Sequence, residues 1–247
     1  MQILAWHVET AGGPIVIVNH ADYKVVCCQF RPGATPRVTF SAVHHVNGGF
    51  EAGLYQIPLT TDPTTGAITG ADATAITRII EGSVFTYTSR TGVTYFWSQV
   101  MNHDWLNETK LVYGDDTWSS DGGAWSQLYL YDFAYPGVPR LALIAANQPR
   151  MIWGPAVSPD GTRVTYGNYT ALYEVTTGGN ATPTVWVSST RSRQATGFDY
   201  LDDSYLVYGW RTTSYPPVSD VYRKLRGSSA ANLTGDVSAS CVPVAAR

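Results

Sequence analysis

Charged residues are scarce in this sequence, since Asp, Glu, Lys and Arg make up only 14% of its 247 residues. Globular proteins usually carry about a quarter of such residues. The formal net charge is −3, and no basic run indicates binding to nucleic acid or to an anionic membrane surface. The sequence also lacks an apolar run long enough for a transmembrane helix, so we expect no membrane insertion.

Cysteine is rare as well. The three cysteines are Cys27, Cys28 and Cys241, and an odd number cannot form a complete set of disulfides within the chain. One of the first two pairs with Cys241 if the chain ends meet. The alternative, which we favour, is that these are buried free thiols. His and Cys do not occur at the spacing of a zinc site, and we expect no cofactor.

The N-terminus has no basic segment followed by an apolar core, so the sequence shows no signal peptide. The low charge and the abundance of Tyr and Trp are nevertheless typical of extracellular β proteins. We therefore expect an extracellular, periplasmic or cell-surface protein whose signal peptide is absent from this chain, and a cytoplasmic protein is the alternative. Sequons for N-glycosylation, which matter only in a secretory compartment, begin at Asn107, Asn168, Asn180 and Asn232.

Helical periodicity is essentially absent, whereas short runs of β-branched and aromatic residues recur between turn residues. The clearest turn is Pro159-Asp160-Gly161. Pro presets φ, Asp can hydrogen-bond to its own backbone, and Gly tolerates positive φ. Strands are predicted before this turn and after it, and two more follow. Residues 151–188 therefore predict one four-stranded antiparallel unit.

The same unit recurs along the chain, with an aromatic residue in each second strand and a tyrosine in each third strand. The second-strand residues are Phe40, Tyr113, Tyr166 and Tyr208, and the third-strand residues are Tyr55, Tyr129, Tyr173 and Tyr222. The last two steps are close to the ~40–50 residues of a propeller repeat. The first step is longer, because it contains Gly/Thr-rich segments at 60–72 and 81–94 that we interpret as loops.

These repeats predict an all-β fold, a β-propeller of four-stranded antiparallel blades in a single domain. The four blades are 23–80, 95–144, 151–188 and 196–236. We expect a fifth blade built from 1–22 and 237–247, because pairing the two termini closes the ring and removes exposed sheet edges. The alternative is that the chain is part of a larger propeller.

Residues 157–175 resemble the repeat of the TolB-like or PD40 (WD40-like) propeller family. In that family an aromatic residue precedes Ser-Pro-Asp-Gly, a strand, Leu-Tyr and a further strand. Here Val157 replaces the aromatic residue, residues 30–57 and 200–225 match loosely, and residues 105–131 lack Pro-Asp-Gly. The resemblance implies a binding platform, sometimes attached to a prolyl-oligopeptidase-like hydrolase domain. The chain has no Gly-x-Ser-x-Gly motif to support such a hydrolase.

Strand order predicts which loops of a propeller share a face. The loops between second and third strands, predicted at 41–52, 114–126, 167–170 and 209–219, lie opposite the Pro-Asp-Gly turn. Loops on a rigid scaffold often carry binding residues, and aromatic rings beside charged groups suit a sugar or a peptide. The alternative is that the aromatic residues pack the loops together. The candidate ligand-binding residues are Trp118, Trp125, Trp210, Arg211, Tyr215, His44, His45 and Glu51.

Carboxylates suggest two further kinds of site. Asp115, Asp116 and Asp121 form an oxygen-rich segment, but it lacks the spacing and terminal Glu of an EF-hand, so a solvated acidic turn is preferred to a metal site. Asp104 and Asp199 occupy matching positions on first strands, where they would act as acid and base in a five-bladed glycosidase. Structural carboxylates are the preferred interpretation of this pair. We interpret His103 likewise as a hydrogen-bonded structural histidine.

Three functions remain open on the sequence alone. The first is a non-catalytic binding or scaffold protein that recognises a protein or carbohydrate through the loop-rich face. The second is a five-bladed carbohydrate-active hydrolase with carboxylates in its channel. The third is a structural subunit of an assembly, which includes a homo-oligomer.

Overall fold

The computed structural model describes residues 2–5, 15–19, 21–88, 90–118, 124–136, 138–145, 152–168, 171–190, 193–212 and 219–234. These residues form β-strands and one 3-10 turn at Ala73–Ala75, so the predicted all-β class is confirmed. No helix among them is long and apolar enough to cross a bilayer. The chain divides into two compact units, Met1–Glu108 and Thr109–Arg247. The predicted closing segment 237–247, with Cys241, lies outside the described residues.

The first unit is built around one large antiparallel sheet. In this sheet β3, β4 and β5 are consecutive neighbours, and both β6 and β7 pair with β5. Two hairpins, β1–β2 and β8–β9, accompany it. The strands are β1 (Gln2–Ala5), β2 (Ile15–Asn19), β3 (Tyr23–Arg31), β4 (Arg37–Val46), β5 (Gly49–Thr61), β6 (Ile68–Ala71), β7 (Thr77–Gly82), β8 (Val84–Thr88), β9 (Thr94–Ser98) and β10 (Val100–Trp105).

The second unit contains three antiparallel meanders. Two of them are four-stranded sheets, β14–β17 and β18–β21, and the other runs from β11 to β13. The strands are β11 (Lys110–Trp118), β12 (Ala124–Asp132), β13 (Leu141–Ala142), β14 (Trp153–Val157), β15 (Arg163–Gly167), β16 (Ala171–Thr176), β17 (Thr184–Ser188), β18 (Arg193–Tyr200), β19 (Tyr205–Thr212), β20 (Ser219–Leu225) and β21 (Ala230–Asn232).

One aromatic pair lies across the second and third strands of every repeat. We call these the central aromatic pairs. Their ring centroids are 5.5–5.8 Å apart, and the second-strand ring is buried in all four. The pairs are Phe40–Tyr55, Tyr113–Tyr129, Tyr166–Tyr173 and Tyr208–Tyr222. The predicted recurrence of these residues is therefore confirmed as a structural repeat.

The two sides of each central aromatic pair differ in length. On one side, which we call the constant end, the ladder continues for three residue pairs in all four repeats. On the other side, the variable end, it continues for six, five, one and three pairs in chain order. Each repeat thus keeps one end fixed and varies the other.

The constant end holds the next aromatic strand by similar contacts in both units. Thr39, just before Phe40, accepts a hydrogen bond from Trp105 Nε1 at 2.9 Å. Thr165, just before Tyr166, donates one to the Tyr200 hydroxyl at 2.8 Å. Both threonines are buried. Because these contacts depend on a fixed register, the length of this end has little freedom to change.

The predicted loops at 41–52 and 114–126 are wrong, because most of their residues lie in strands, and the loop predicted at 209–219 starts too early. The loop at 167–170 fits the prediction, since β15 ends at Gly167 and β16 begins at Ala171. The β4–β5 ladder fills 41–52 and closes at Asn47-Gly48, whose φ values are 48° and 79°. Asn-Gly is typical of the tight turns that close hairpins. Strand β11 extends through Trp118 and β12 starts at Ala124. Strand β19 likewise extends to Thr212.

Both Gly/Thr-rich segments of the first repeat also contain strands where loops were predicted. β6 lies within 60–72 and pairs with the end of β5. The β8–β9 hairpin lies within 81–98, so the predicted loop at 81–94 contains strand β8. β6 contains Gly70, a residue depleted in strands, whereas the β-branched and aromatic residues of β8 were a usable strand signal.

The Pro-Asp-Gly turn and the free thiols are close to expectation. Asp160 Oδ1 accepts hydrogen bonds from the Ser158 hydroxyl and the Thr162 N–H, and Gly161 has φ 70°. The Ser158 contact is the main reason that the pKa of Asp160 falls to about 2. Cys27 and Cys28 are free, but only Cys27 is partly buried, so the expected burial of Cys28 is wrong.

Candidate functional site

The variable end of the first sheet brings three predicted binding residues together. In the β4–β5 ladder His44 lies opposite Glu51, and His45 lies opposite Phe50. Successive strand residues point to opposite faces of a sheet. His44 and Glu51 therefore share one face, and His45 lies on the other.

On the first face, the His44 ring stacks on Tyr23 with centroids 3.9 Å apart and nearly parallel planes. Its neighbour Tyr55 meets it edge-on at 6.2 Å. Glu51 pairs with Arg78 on β7 at 3.5 Å. Burial, followed by the Glu51 charge, raises the pKa of Tyr23. This face presents an imidazole, a carboxylate and a guanidinium beside two aromatic rings.

Sequence reasoning missed Arg78 because its partner Glu51 lies on a strand far away along the chain. The close approach of β7 depends on Gly53, where φ is 153°. A Cβ at this position would lie 2.1 Å from the carbonyl oxygen of Ile80. Only glycine allows β7 to pair here without a shift of the backbone.

We expect Gly53→Ala to destabilise the protein by more than about 2 kcal/mol, because backbone atoms leave no room for a methyl group. Gly49→Ala is the matched control, since its Cβ would lie 3.6 Å from the nearest atom. Urea unfolding monitored by tryptophan fluorescence measures both changes. Equal midpoints for the two variants would show that Gly53 is not required.

On the second face, aromatic rings stack toward solvent. The His45 ring lies 5.0 Å from Phe50, and Phe50 stacks on Phe96 at 4.0 Å. Phe50 is 43% exposed, which is unusual for a large apolar side chain at the end of a strand. We call His45, Phe50 and Phe96 the aromatic stack.

The β11–β12 hairpin carries the predicted Trp118 and Trp125 at its far end. Trp118 pairs with Ala124 in the ladder, and Trp125 pairs with Thr117. Trp118 is therefore the last strand residue before the connecting segment 119–123, and Trp125 is the second strand residue after it. Asp121 belongs to that segment, which lies outside the described residues.

Asp115, further down this hairpin, is a buried strand residue and not part of a solvated acidic turn. It forms an ion pair with Arg140, which also donates a hydrogen bond to the Tyr113 hydroxyl at 3.0 Å. The Arg140 guanidinium lies 3.9 Å from the centre of the Tyr129 ring. This carboxylate is thus neutralised within a closed structural cluster.

Asp116 points to the opposite face and is fully buried. Its Oδ1 accepts hydrogen bonds from the Ser126 hydroxyl and from the Ile152 N–H, whereas Oδ2 has no hydrogen-bond partner. Burial raises the pKa of Asp116 to about 6. In the part of the chain that the structure describes, no cluster of His, Cys, Asp or Glu could hold a metal ion.

The remaining predicted ligand-binding residues lie in the fourth repeat. The Trp210 ring packs 5.8 Å from Tyr208 and 6.3 Å from Tyr222, and its indole N–H is buried without a hydrogen-bond partner. Arg211 is exposed next to it and lies opposite Ser219 in the ladder. Tyr215 lies outside the described residues.

Asp104 and Asp199, the candidate catalytic pair, make the same local contact. Each carboxylate accepts a hydrogen bond from the backbone N–H of the next residue, at 2.9 Å in Trp105 and 2.8 Å in Tyr200. This contact fits the structural interpretation.

His103 is buried with Nε2 2.8 Å from the Thr39 hydroxyl, which confirms the predicted structural histidine. Burial lowers the pKa of His103 to about 3, so it is neutral near pH 7.

No family model matches this sequence, and no curated protein matches it significantly. The four repeats of the chain can instead be compared with one another. Their constant ends agree in length, whereas their variable ends differ and carry His44, His45, Glu51, Trp118 and Trp125.

Proposed function

We propose that this protein is a non-catalytic binding protein that recognises a protein or carbohydrate through the variable ends of its hairpins. The supporting observation is the difference between the two ends of each repeat. A scaffold needs constant register where its sheets pack, and it gains specificity where its ends are free to vary. The aromatic stack and the Glu51–Arg78 pair supply both apolar and polar contacts at such an end.

We propose in addition that the repeats are blades of a five-bladed propeller of the TolB-like or PD40 type, closed by both termini. The shared register of the four repeats and the Pro-Asp-Gly turn support this architecture. The extracellular, periplasmic or cell-surface location stays a prediction from composition, and the possible homo-oligomer stays a prediction as well.

A glycan array and a displayed peptide library, both probed with the whole chain, test the function and separate its two ligand classes. We expect Phe50→Ala to weaken binding of the selected ligand at least about tenfold, because an exposed aromatic anchor is lost. Phe30→Ala is the matched control, since Phe30 is 57% exposed on β3 near the constant end.

Trp118→Ala and Trp125→Ala extend the same test to the second hairpin. Loss of binding in Phe30→Ala, with full binding in the three variable-end variants, would contradict the proposed surface. No ligand in either collection would contradict the proposed ligand classes.

A further inference from the structure

Two arginines of the first repeat lie directly opposite each other in the sheet. Arg31, the last residue of β3, pairs with Arg37, the first residue of β4. Residues paired in this way share a face, and like charges in such positions destabilise a sheet. Because the Arg31–Arg37 pair works against folding, its presence needs another explanation. The pair lies at the constant end, away from the proposed ligand surface.

The two guanidinium groups converge on one neutral acceptor. Arg31 Nη1 donates to Gln56 Oε1 at 2.8 Å, and Arg37 Nη1 donates to the same oxygen at 3.3 Å. Arg31 is further held by a hydrogen bond from Nε to the Glu108 carbonyl oxygen at 3.0 Å, and it lies 4.6 Å from the Trp105 ring centre. The side chains are thus oriented before any ligand arrives.

The third repeat has a carboxylate where the first has this amide. Glu174 follows the central Tyr173 and lies opposite Thr165, as Gln56 follows Tyr55 and lies opposite Thr39. Glu174 forms ion pairs with Arg163 and Arg226. Glu174 therefore places a negative charge between Arg163 of the third repeat and Arg226 of the fourth, where the first repeat has the neutral Gln56.

The second repeat also neutralises the cation at the start of its second strand, since Lys110 pairs with Asp132 at 3.7 Å. Among the residues that the structure describes, Arg37 forms no ion pair. The Glu108 carboxylate acts on Arg31, and its carboxyl group lies against Gly33. Burial, followed by the Arg37 charge, lowers the pKa of Arg31, while Glu108 raises it. Glu108 therefore offsets charge at Arg31, whereas no described carboxylate forms an ion pair with Arg37.

We propose that Arg31 and Arg37 form a binding site for a tetrahedral oxyanion, phosphate or sulfate, with Gln56 holding the two guanidinium groups in place. A guanidinium presents several N–H donors in one plane and binds such anions through paired hydrogen bonds. An oxyanion bridging the two arginines would supply the negative charge that Glu174 supplies in the third repeat. This site is independent of the proposed ligand surface.

Isothermal titration of the whole chain with inorganic phosphate and with sulfate, at constant ionic strength set with chloride, tests the site. We expect Arg37→Gln to weaken binding at least about tenfold, as loss of a charged hydrogen-bond donor does. Gln56→Glu should also abolish binding, because it places a carboxylate between the two guanidinium groups, as Glu174 does between Arg163 and Arg226. The control is Arg223→Gln, which removes one exposed positive charge in the other unit and should leave binding unchanged.

Thermal unfolding in chloride checks that each variant folds, and Gln56→Glu should be at least as stable as the wild type. Glucose 6-phosphate and glucose 6-sulfate distinguish a sugar ester from a free anion. If the natural ligand is a sugar ester, these compounds should bind more tightly than inorganic phosphate and sulfate. If the wild type binds phosphate and sulfate no more strongly than chloride, the proposed site is wrong. Equal affinities of the wild type, Arg37→Gln and Gln56→Glu would also contradict it.

Discussion

Tyr166→Ala is expected to destabilise the protein by about 3–5 kcal/mol, the usual range for truncating a buried aromatic side chain. The Tyr166 side chain is fully buried, and its ring stacks on Tyr173 at 5.5 Å. Removing it leaves a cavity in the middle of the third repeat and separates the central aromatic pair. The midpoint of urea unfolding measures the loss.

Tyr166→Phe separates the ring from its hydroxyl. The hydroxyl is buried and has no hydrogen-bond partner, so its removal should change stability by less than about 1 kcal/mol or even stabilise. Tyr200→Phe makes the contrast, because Tyr200 accepts a hydrogen bond from Thr165 and donates one to Glu174. That variant should lose about 1–3 kcal/mol. A wild-type midpoint for Tyr166→Ala would show that the central aromatic pairs do not support the repeat.

Ionisation of Asp116 is expected to destabilise the protein by roughly 3 kcal/mol as pH rises from about 3 to about 8. Its pKa is raised from 3.8 to about 6 in the folded state, because burial penalises the charged form. The folded protein therefore binds the proton more tightly than the unfolded chain. The resulting stabilisation is fully present below the unfolded pKa and is lost as pH rises through the folded pKa.

Asp116→Asn tests this effect because the amide has the same shape and cannot ionise. Its oxygen can accept the hydrogen bonds from Ser126 and Ile152 that Asp116 Oδ1 accepts. Urea unfolding at several pH values should give similar stabilities for both proteins near pH 4. Near pH 8 the asparagine variant should be the more stable one. A difference that does not change with pH would mean that Asp116 keeps its ordinary pKa.

The repeat was accessible from the sequence because it rests on local patterns. Each repeat has an aromatic residue after β-branched residues, then a polar turn, then a strand with tyrosine. The alternation of side chains along a strand then determines which face of the sheet each residue occupies. That is why the recurrence of Phe40, Tyr55 and their counterparts could be predicted. The Asp160 turn was predictable for the same reason, since its carboxylate accepts hydrogen bonds from Ser158 and Thr162, which lie two residues away.

The lengths of the hairpins were not predicted, because polar residues such as His44 and Asp116 look like loop residues. Once the aromatic pair fixes the register, the ladder continues through them and ends only at a favourable turn. Asn47-Gly48 is such a turn, and this dipeptide was a usable signal that the sequence reasoning passed over.

The parts of the candidate sites that were missed depend on contacts between distant residues. Arg78 reaches Glu51 only because β7 pairs beside Gly53. The convergence of Arg31 and Arg37 on Gln56 requires three strands in register. Neither arrangement leaves a motif in consecutive residues, and each becomes visible only when the repeats are compared in space.

Hydrogen exchange of the protein with and without its selected ligand shows whether the variable ends bind the ligand and the constant ends support the fold. We expect slower exchange in 41–54 and in 114–128, with no change at the constant-end segments 37–39 and 56–58. Protection concentrated at the constant ends, with none at the variable ends, would contradict this expectation.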